Sequence, residues 1–303
     1  TMLCTVLFFL FVLAIGIFIF FWKRKRLYQQ ADKILLNYIN GDYSCHIPQN
    51  YEGAIYQVFS SVEQLATMLQ SKNETERKAK EFLKDTISDI SHQLKTPLAA
   101  LAMYQEIIES EPENAETVKQ FAAKMGISLK RMEQLILSML KITRLDTGNI
   151  IFEKKSCRVS ELIAHSVNEL TARAKNENKQ IQIDGDGEQK LICDMEWTGE
   201  AIGNIVKNAL DHTQVGGIVR ITWNRAPAMF QIFISDNGSG IAPEDIHHIF
   251  KRFYRSKHSI DTQGIGLGLP LAKSIIEGQG GVISVQSESG KGTLFTLSFL
   301  TEL

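Results

Sequence analysis

The amino-acid sequence predicts a multidomain fold class: a transmembrane helix, a helical hairpin that forms a dimeric four-helix bundle, and an α/β two-layer sandwich. Three observations lead to this prediction: an uncharged apolar run near the start, two stretches with apolar residues at steps of three and four, and alternating helix and strand patterns after Gly148. The length of 303 residues accommodates these parts, since one domain takes about 100 to 200 residues. We divide the chain at 1–26, 27–80, 81–148 and 149–303.

The first region, residues 1–26, is predicted to cross a membrane. The run Leu3–Trp22 holds 20 uncharged residues, which at about 1.5 Å per residue match a hydrocarbon core of roughly 30 Å. A cleaved signal peptide would begin with basic residues, whereas here Lys23–Arg26 follows the run. The positive-inside rule places the remainder in the cytoplasm, at the plasma membrane. A buried core helix is the less favoured alternative, because other helices would have to cover its apolar surface.

Residues 27–80 contain two helical stretches, Ala31–Asn40 and Ile55–Gln70, separated by an irregular connector with Pro48 and Gly53. The order of helix, connector and helix after a membrane span resembles a HAMP signal relay. A plain helical linker is the alternative, and the residues leave both interpretations open.

Two amphipathic helices are predicted in residues 81–148. The first apolar stripe consists of Leu83, Ile87, Ile90, Leu94, Leu98 and Leu101, and the second of Val118, Phe121, Met125, Leu129, Met132, Ile136 and Met139. The sequence Ser-Glu-Pro-Glu-Asn at 110–114 supplies a turn, so we expect an antiparallel hairpin. One hairpin cannot cover both stripes, whereas two chains can bury them in a four-helix bundle, which predicts a homodimer.

Helix and strand patterns alternate in residues 149–303. Helices are predicted at 160–174 and 197–212, and strands at 180–184, 190–193, 217–224, 229–235, 282–287 and 293–299. Strands joined mainly by hairpins, with helices over one face, predict a two-layer sandwich rather than a doubly wound sheet.

Charge and cysteine content argue against a nucleic-acid-binding protein and against a zinc or redox site built from cysteines. The formal net charge is −1, and direct nucleic-acid binding is not expected without a basic excess on one face. The four cysteines, Cys4, Cys45, Cys157 and Cys193, are far apart in the sequence and lack the spacing of a zinc or redox pair. We interpret them as reduced residues without a function, in a cytosolic compartment.

His92 is the first residue of chemical interest. It lies two positions from Ile90 and two from Leu94, so it points away from the apolar stripe and is expected to be exposed. A single histidine on a polar helix face is usually only solvated. The surrounding sequence, Ser-His-Gln-Leu-Lys-Thr-Pro-Leu at 91–98, contains a proline inside a strong helix. Such a proline costs about 3 kcal/mol, which indicates a required shape beside His92.

Three later segments are suited to nucleotide phosphates. Asn204 and Asn208 share a helix face, where an amide oxygen can hold a magnesium ion. The segment Asp-Asn-Gly-Ser-Gly at 236–240 follows an apolar strand, and its glycines permit close approach to a ligand. The segment Gly-Ile-Gly-Leu-Gly at 264–268 opens a helix whose free amides suit anions. Each segment alone is weak, since surface asparagines and glycine turns are common.

Taken in this order, the segments resemble those of sensor histidine kinases of two-component systems. Residues 91–98 are similar to the H box of the HisKA-type phosphoacceptor domain. The three later segments resemble the N, G1 and G2 boxes of the GHKL-type ATP-binding domain, and Phe-Lys-Arg-Phe-Tyr-Arg at 250–255 resembles its F box. The resemblance covers residues 81–299 and implies ATP and Mg²⁺ as cofactors and a response regulator as partner.

The resemblance also implies a role for each matching residue. His92 would be the phosphoacceptor, and Thr96 would orient a water that dephosphorylates the response regulator. Asn208 would be the magnesium ligand with Asn204 beside it, and Asp236 would accept the adenine amino group. The other expected nucleotide-binding residues are Gly238 and Gly240 in the G1 loop, Gly264, Gly266 and Gly268 around the phosphates, and Arg252, Arg255 and Lys257 as positive charges in a mobile lid at 239–263.

Two positions depart from the family pattern. Gln93 stands where most relatives of this type have an acidic residue that takes the imidazole proton, and a glutamine side chain cannot be that base. Either Asp89 or solvent replaces it, or the kinase step is slow. Asp211 stands where several relatives have a phosphate-binding lysine, and Lys207 or the lid is expected to take over that function.

Two other functions fit part of the sequence. A membrane-tethered adaptor that binds nucleotide without transferring phosphate is consistent with Gln93. An ATPase chaperone or topoisomerase shares the nucleotide-binding fold but leaves the H box and the membrane span unexplained. We expect autophosphorylation of His92 by ATP, from the same or the partner chain, and transfer to an aspartate of a response regulator.

Overall fold

The computed structural model describes residues 2–39, 41–42, 54–256 and 264–300. The chain divides into two compact units, Thr1–His92 and Gln93–Leu303. In the first unit, α1 spans Met2–Ile39 and thus joins the predicted membrane helix to the first linker helix. No glycine or proline lies between Trp22 and Ala31 to end the helix. Within the described part of the chain, one helix, Val6–Ile39, is long and apolar enough to cross a membrane.

The described residues of the first unit include a small apolar contact between α1 and α2. Ala31 of α1 and Phe59 of α2 are buried, and the partly buried residues packed against them are Leu27, Ile34, Tyr38 and Val62. The predicted connector residues Pro48 and Gly53 lie outside the described residues. The contact is compatible with both interpretations of this region, the relay and the plain linker.

The helix α2, Ala54–Ser110, is 57 residues long and includes both the second linker helix and the first helix of the predicted hairpin. Residues 71–96 contain no glycine or proline and are rich in Lys and Glu, which favour helix, so no break occurs there. The helix also continues through Pro97.

The predicted hairpin is confirmed. The helix α3 spans Ala115–Asp146, and its N-cap Asn114 accepts a hydrogen bond from the Thr117 amide at 3.2 Å. The Tyr104 and Phe121 rings lie 5.6 Å apart, centroid to centroid, across the turn. The second helix therefore returns antiparallel to the first.

The α/β two-layer sandwich is also confirmed. Its helices are α4 (Val159–Asn176), α5 (Met195–His212), the short α6 (Pro243–Ile246) and α7 (Gly268–Gly278). Its strands are β1 (Lys155–Arg158), β2 (Gln180–Asp184), β3 (Lys190–Cys193), β4 (Ile218–Arg225), β5 (Met229–Asp236), β6 (Val282–Glu288) and β7 (Gly292–Leu300). Five strands form one sheet in the order β2-β4-β5-β7-β6, parallel between β2 and β4 and antiparallel elsewhere.

One face of this sheet packs against helices. Alternate residues of β4 and β5 are buried, as expected for a sheet with one covered face. The fully buried side chains of the sheet include Ile221, Phe230, Ile232, Ile234 and Phe295, and those of the helices include Leu162, Ile163, Ile202, Ile205 and Leu210. This core orients the polar side of α5 toward the end of β5, where the site lies.

A second, two-stranded sheet was not predicted. Its strand β1 is short and has no apolar period, so its sequence gives no signal. It pairs antiparallel with β3, with Cys157 opposite Leu191 and Lys155 opposite Cys193.

This pairing brings together two of the cysteines that are far apart in the sequence. The Cys157 and Cys193 sulfurs, both free thiols, lie 3.5 Å apart. These two residues are adjacent because their strands pair, although 36 positions separate them in sequence. The side chains of Cys4 and Cys45 lie outside the described part of the structure.

Candidate functional site

A cavity of about 270 Å³ lies where α5 and β5 end and β7 begins. A second cavity, of about 340 Å³, extends from it toward α3. Residues that line both cavities are Asn208, Asp211, Ile249, Tyr254, Gly264, Gly266 and Leu269. The two cavities are therefore adjoining parts of one depression, which we call the nucleotide cavity.

The structure brings most of the predicted nucleotide-binding residues to this cavity. Those that line it are Asn204, Lys207, Asn208, Asp236, Gly240, Arg255, Gly264, Gly266 and Gly268. Gly238 and Arg252 are not among the lining residues, and Lys257 lies outside the described residues. Segments distant in sequence thus converge on one cavity of the second unit.

The helix α5 supplies one wall of the cavity. Its buried positions, such as Ile205 and Leu210, face the core, which leaves Asn204, Asn208 and Asp211 on the opposite side. The Asn204 Nδ2 donates to the Glu200 carbonyl at 3.0 Å. Its amide oxygen consequently remains available on the cavity side.

Asp236 ends β5 and lines the cavity. Its Oδ1 accepts a hydrogen bond from the Gly238 amide at 2.9 Å, and the Thr293 amide also donates to the carboxyl group. Burial raises the pKa of Asp236 above its ordinary value, although these two backbone bonds partly oppose the shift. A partly desolvated carboxylate in this position is a strong acceptor for an amino group.

Two glycines are required by the loops beside Asp236 and α7. A Cβ on Gly238 would lie 2.3 Å from the His212 carbonyl oxygen, so only glycine lets this loop pass the end of α5. Gly266 has a φ of +76°, and a Cβ there would lie 2.9 Å from the Phe253 backbone. The Phe253 amide donates to the Gly266 carbonyl at 2.9 Å, which holds the F-box segment against the glycine segment.

The basic residues of the predicted site fall into two groups. Lys207 and Arg255 line the cavity, where their charges suit phosphates. Arg252 instead forms an ion pair with Asp146 at the end of α3. In this arrangement the Arg252 guanidinium is held at the hairpin rather than at the nucleotide cavity.

Asp211, which replaces the lysine of several relatives, is held by a partner that the sequence did not indicate. The Arg173 Nη2 of α4 lies 2.6 Å from the Asp211 Oδ1, and Arg173 also bonds Glu177. The negative charge of Asp211 is thus balanced from outside the cavity. The sequence contains no signal for this pair, because 38 positions separate its members.

The helix α3 forms a further wall that sequence reasoning missed. Its residues Gln134, Leu137, Ser138 and Lys141 line the second cavity. The Lys141 Nζ lies 2.5 Å from the Glu200 Oε1 of α5. The apolar stripe predicted for α3 includes the buried Met139, but it omits the buried Leu135 and Ile142 and the residues that line this cavity.

The phosphoacceptor candidate lies on α2, and its predicted exposure is confirmed. His92, Thr96 and Asp89 are exposed, whereas Gln93 is half-buried. Among the described residues, no hydrogen bond or ion pair occupies the His92 imidazole. Its ring nitrogens are accordingly open to an incoming group.

Family models match the two parts of the chain that carry these residues. Residues 82–148 match the His Kinase A (phospho-acceptor) domain. Residues 193–303 match the Histidine kinase-, DNA gyrase B-, and HSP90-like ATPase. The first match contains His92, and the second contains the nucleotide-cavity residues of α5, β5 and α7.

Two curated relatives align with 71% of the chain. Sensor-like histidine kinase SenX3 of Mycobacterium tuberculosis is 30% identical over 217 residues, which are 53% of its own length. Sensor protein SrrB of Staphylococcus aureus is 30% identical over 217 residues, or 37% of its length. The chain therefore spans about half, or less, of these relatives.

A solved structure supports the fold. The crystal structure of histidine kinase ThkA in complex with response regulator protein TrrA aligns with a TM-score of 0.61 and 21% identity, over 76% of this chain and 66% of that chain. At this identity the similarity shows a shared fold alone.

Proposed function

This chain belongs to the sensor histidine kinases of two-component systems, and we propose that it phosphorylates its own His92 with ATP and passes the phosphoryl group to an aspartate of a response regulator. One observation carries the proposal. A segment matching the phosphoacceptor domain presents an exposed histidine, and a segment matching the ATPase encloses a cavity lined by Asn208 and Asp236.

The chemistry of the acceptor follows from the imidazole. A neutral ring nitrogen of His92 is nucleophilic near neutral pH, and its attack on the γ-phosphorus gives a phosphoramidate with release of ADP. The imidazole must also lose a proton. Gln93 cannot accept it, so solvent or Asp89, one helical turn before His92, takes the proton. The same helix presents Thr96 one turn on, where a water for dephosphorylating the response regulator could be held.

The nucleotide cavity has groups suited to the adenine of ATP and groups suited to its phosphates. Asp236 would accept a hydrogen bond from the adenine amino group, because an ionised carboxylate is an acceptor only and the amino group is a donor. Lys207 and Arg255 would neutralise phosphate charge, and phosphoryl transfer depends mainly on such positioning and neutralisation. The start of α7 has free amides that can bind phosphate oxygens. The helix begins at Gly268, and Gly264 and Gly266 lie just before it.

We propose that this cavity would hold a magnesium ion together with a nucleotide. Within the described residues, no cluster of three His, Cys, Asp or Glu side chains could hold a metal. The Asn208 amide oxygen would supply one ligand, and phosphate oxygens would supply others, as is usual for Mg²⁺. When bound, the ion would neutralise charge that develops on the phosphates.

A homodimer is part of the proposal. Several hairpin residues remain exposed in the single chain, including Leu98, Leu129 and Ile136. Apolar surface of this kind is covered when two hairpins pack into a four-helix bundle. The phosphoacceptor match at residues 82–148 supports the same arrangement.

Location and partner are also proposed. The apolar helix Val6–Ile39 would anchor the chain in the plasma membrane, with Lys23–Arg26 on the cytoplasmic side. The solved ThkA structure is a complex with a response regulator protein, which supports a receiver domain as the partner here. We propose no direct nucleic-acid binding.

The test is autophosphorylation of the full chain in lipid nanodiscs with γ-labelled ATP and Mg²⁺. We expect acid-labile, alkali-stable label on the wild type, no label on His92→Ala, and strongly reduced label on Asn208→Ala. His165→Ala, which removes another exposed histidine, is the matched control and should keep the label. Gln93→Glu should accelerate the reaction if a missing base limits it.

The same experiment separates the kinase from a nucleotide-binding adaptor. Label that persists on His92→Ala would refute the assignment of the phosphoacceptor. ATP binding by the wild type without any phosphohistidine would favour the adaptor, the alternative that Gln93 supports.

A further inference from the structure

We propose that Cys157 and Cys193 form a reversible disulfide. The bond would link β1, the first strand of the ATP-binding domain, to the residue before the N-cap of α5. The inference goes beyond the kinase activity, because it concerns a modification site that phosphoryl transfer does not use. It starts from the small β1–β3 sheet, whose two cysteines are adjacent only in the folded chain.

The geometry allows the bond to form with little movement. Cys157 is opposite Leu191 and Cys193 is opposite Lys155, so the cysteines are diagonal neighbours on one face of an antiparallel pair. Their sulfurs are 3.5 Å apart, whereas a disulfide bond is about 2.05 Å long. Small side-chain rotations can close this gap without a new backbone pairing.

The two thiols differ in a way that suits stepwise oxidation. Cys157 is half-buried and reachable, and its hydrogen bond with Cys193 holds the pKa of the Cys157 thiol below its ordinary value. Cys193 is only 1% exposed. The same hydrogen bond, followed by burial, raises the pKa of Cys193 well above the ordinary value. Cys157 is therefore the nucleophile and Cys193 the resolving thiol.

The oxidant in this proposal is a peroxide. The Cys157 thiolate attacks one peroxide oxygen, the O–O bond breaks, and the sulfur becomes a sulfenic acid while the other oxygen leaves as water after protonation. The Cys193 thiol then attacks the Cys157 sulfur and releases a second water. In sum, two thiols and one hydrogen peroxide give one disulfide and two waters. A dithiol reductant reverses the bond by exchange.

The position of the pair links two functional parts of the chain. β1 directly follows the segment 149–154, which connects α3 to the ATP-binding domain. Cys193 directly precedes Asp194, whose Oδ1 accepts from the Trp197 amide at 3.2 Å and caps α5. Asp194 Oδ2 also accepts from the Glu153 amide at 2.9 Å. A disulfide here would add a covalent link to these hydrogen bonds beside the helix that carries Asn204 and Asn208.

A disulfide at this place would be transient rather than structural. On the cytoplasmic side proposed above, thiols are kept reduced, and disulfides that form there are usually catalytic or redox-sensing. The bond would oppose local opening of the β1–β3 sheet, because a cross-link restricts the opened state. Oxidation would thus stiffen the junction between the hairpin and the ATP-binding domain.

The decisive experiment is peptide mapping of the full chain in nanodiscs, with Cys4 and Cys45 replaced by Ser so that one pair remains. After treatment with hydrogen peroxide, we expect a cross-linked peptide joining Cys157 to Cys193, which a dithiol converts back to free thiols. Cys193→Ser should instead accumulate a sulfenic acid at Cys157, trapped by dimedone. Cys157→Ser should leave Cys193 reduced, because that thiol is buried.

Two further measurements check that the bond forms in the folded chain. Hydrogen exchange of the β1 and β3 amides should slow on oxidation, and Tm should rise by about 5 °C. A chain with Ser at both positions should show neither change. The proposal is overturned if peroxide gives no Cys157–Cys193 peptide, or gives one only between two chains. The readouts require no ATP, so this failure is distinguishable from failure of the kinase proposal.

Discussion

The ATP-binding domain and the helical hairpin bury their apolar residues in different ways. In the domain, side chains such as Ile205, Phe230 and Leu297 are 0% exposed within one chain. In the hairpin, Leu98 and Leu129 of the predicted stripes are 59% and 56% exposed. A sheet covered by helices completes its own core, because each layer buries the other. Two helices alone cannot bury both of their apolar stripes. The stability of the hairpin therefore depends on apolar surface supplied from outside it, as in the proposed dimer.

The largest expected effect comes from a substitution that creates a cavity in the core of the ATP-binding domain. Phe230→Ala should lower the free energy of unfolding of the ATP-binding domain by about 3 to 5 kcal/mol, the usual cost of deleting a buried aromatic ring. Urea denaturation of the full chain, followed by tryptophan fluorescence, measures the change. Met229→Ala, a partly exposed neighbour on the same strand, should cost far less. Similar losses for both variants would contradict the assigned core.

The next largest effect concerns the hairpin. Leu98→Asp with Leu129→Asp would place charges in the proposed dimer core and should raise the dimer dissociation constant by about 100-fold, or roughly 2.8 kcal/mol. Subunit exchange between fluorescently labelled chains in detergent reports the constant. ATP affinity should not change, because the domain's core is separate.

The control for this variant is Gln120→Asp, an exposed position outside the apolar stripe. It should leave the dissociation constant unchanged. A dimer that survives the double substitution would show that the exposed stripes are not the dimer interface.

A smaller effect distinguishes the buried carboxyl of the domain from ordinary surface acids. Because burial raises the pKa of Asp236, its protonated form appears at a higher pH than for a typical aspartate. Only the ionised form is purely an acceptor, so ATP affinity should fall by up to about tenfold as pH drops through this pKa. Inosine triphosphate lacks the amino group and should show a weaker dependence. Equal pH dependence of both nucleotides, measured by titration calorimetry, would argue against contact between Asp236 and adenine.

The smallest effect concerns one of the ion pairs between the hairpin and the ATP-binding domain, Lys141–Glu200. The Lys141 and Glu200 side chains are 43% and 28% exposed, so solvent screens their interaction. A double-mutant cycle with Lys141→Ala and Glu200→Ala should give a coupling of about 1 kcal/mol or less, decreasing with added salt. The pair Lys155–Glu153, which is more exposed, is the matched control and should couple more weakly. A coupling several times larger would mean that α3 and α5 are held together more firmly than solvent screening allows.

Much of the fold could be predicted because its determinants are local. Two strands, Gln180–Asp184 and Lys190–Cys193, have the bounds that the sequence pattern predicted. Helix α4 begins one residue earlier and ends two residues later than predicted, and α5 begins two residues earlier and ends at the predicted residue. The long α2 differs more, since residues that favour helix bridge two segments that we predicted separately. Strand β1 was missed because its four residues carry no apolar period.

The sequence by itself determined the chemistry of this protein: an exposed His92 in its motif, and asparagine, aspartate and glycine segments in the order of a nucleotide site. Periodicity and motif spacing act over a few residues, so the chain displays them directly. Only the tertiary structure decided that Arg173 balances Asp211, that Arg252 pairs with Asp146, and that Cys157 meets Cys193. The members of each pair lie dozens of positions apart, and their proximity follows from the packing of whole helices and strands, which no local pattern records.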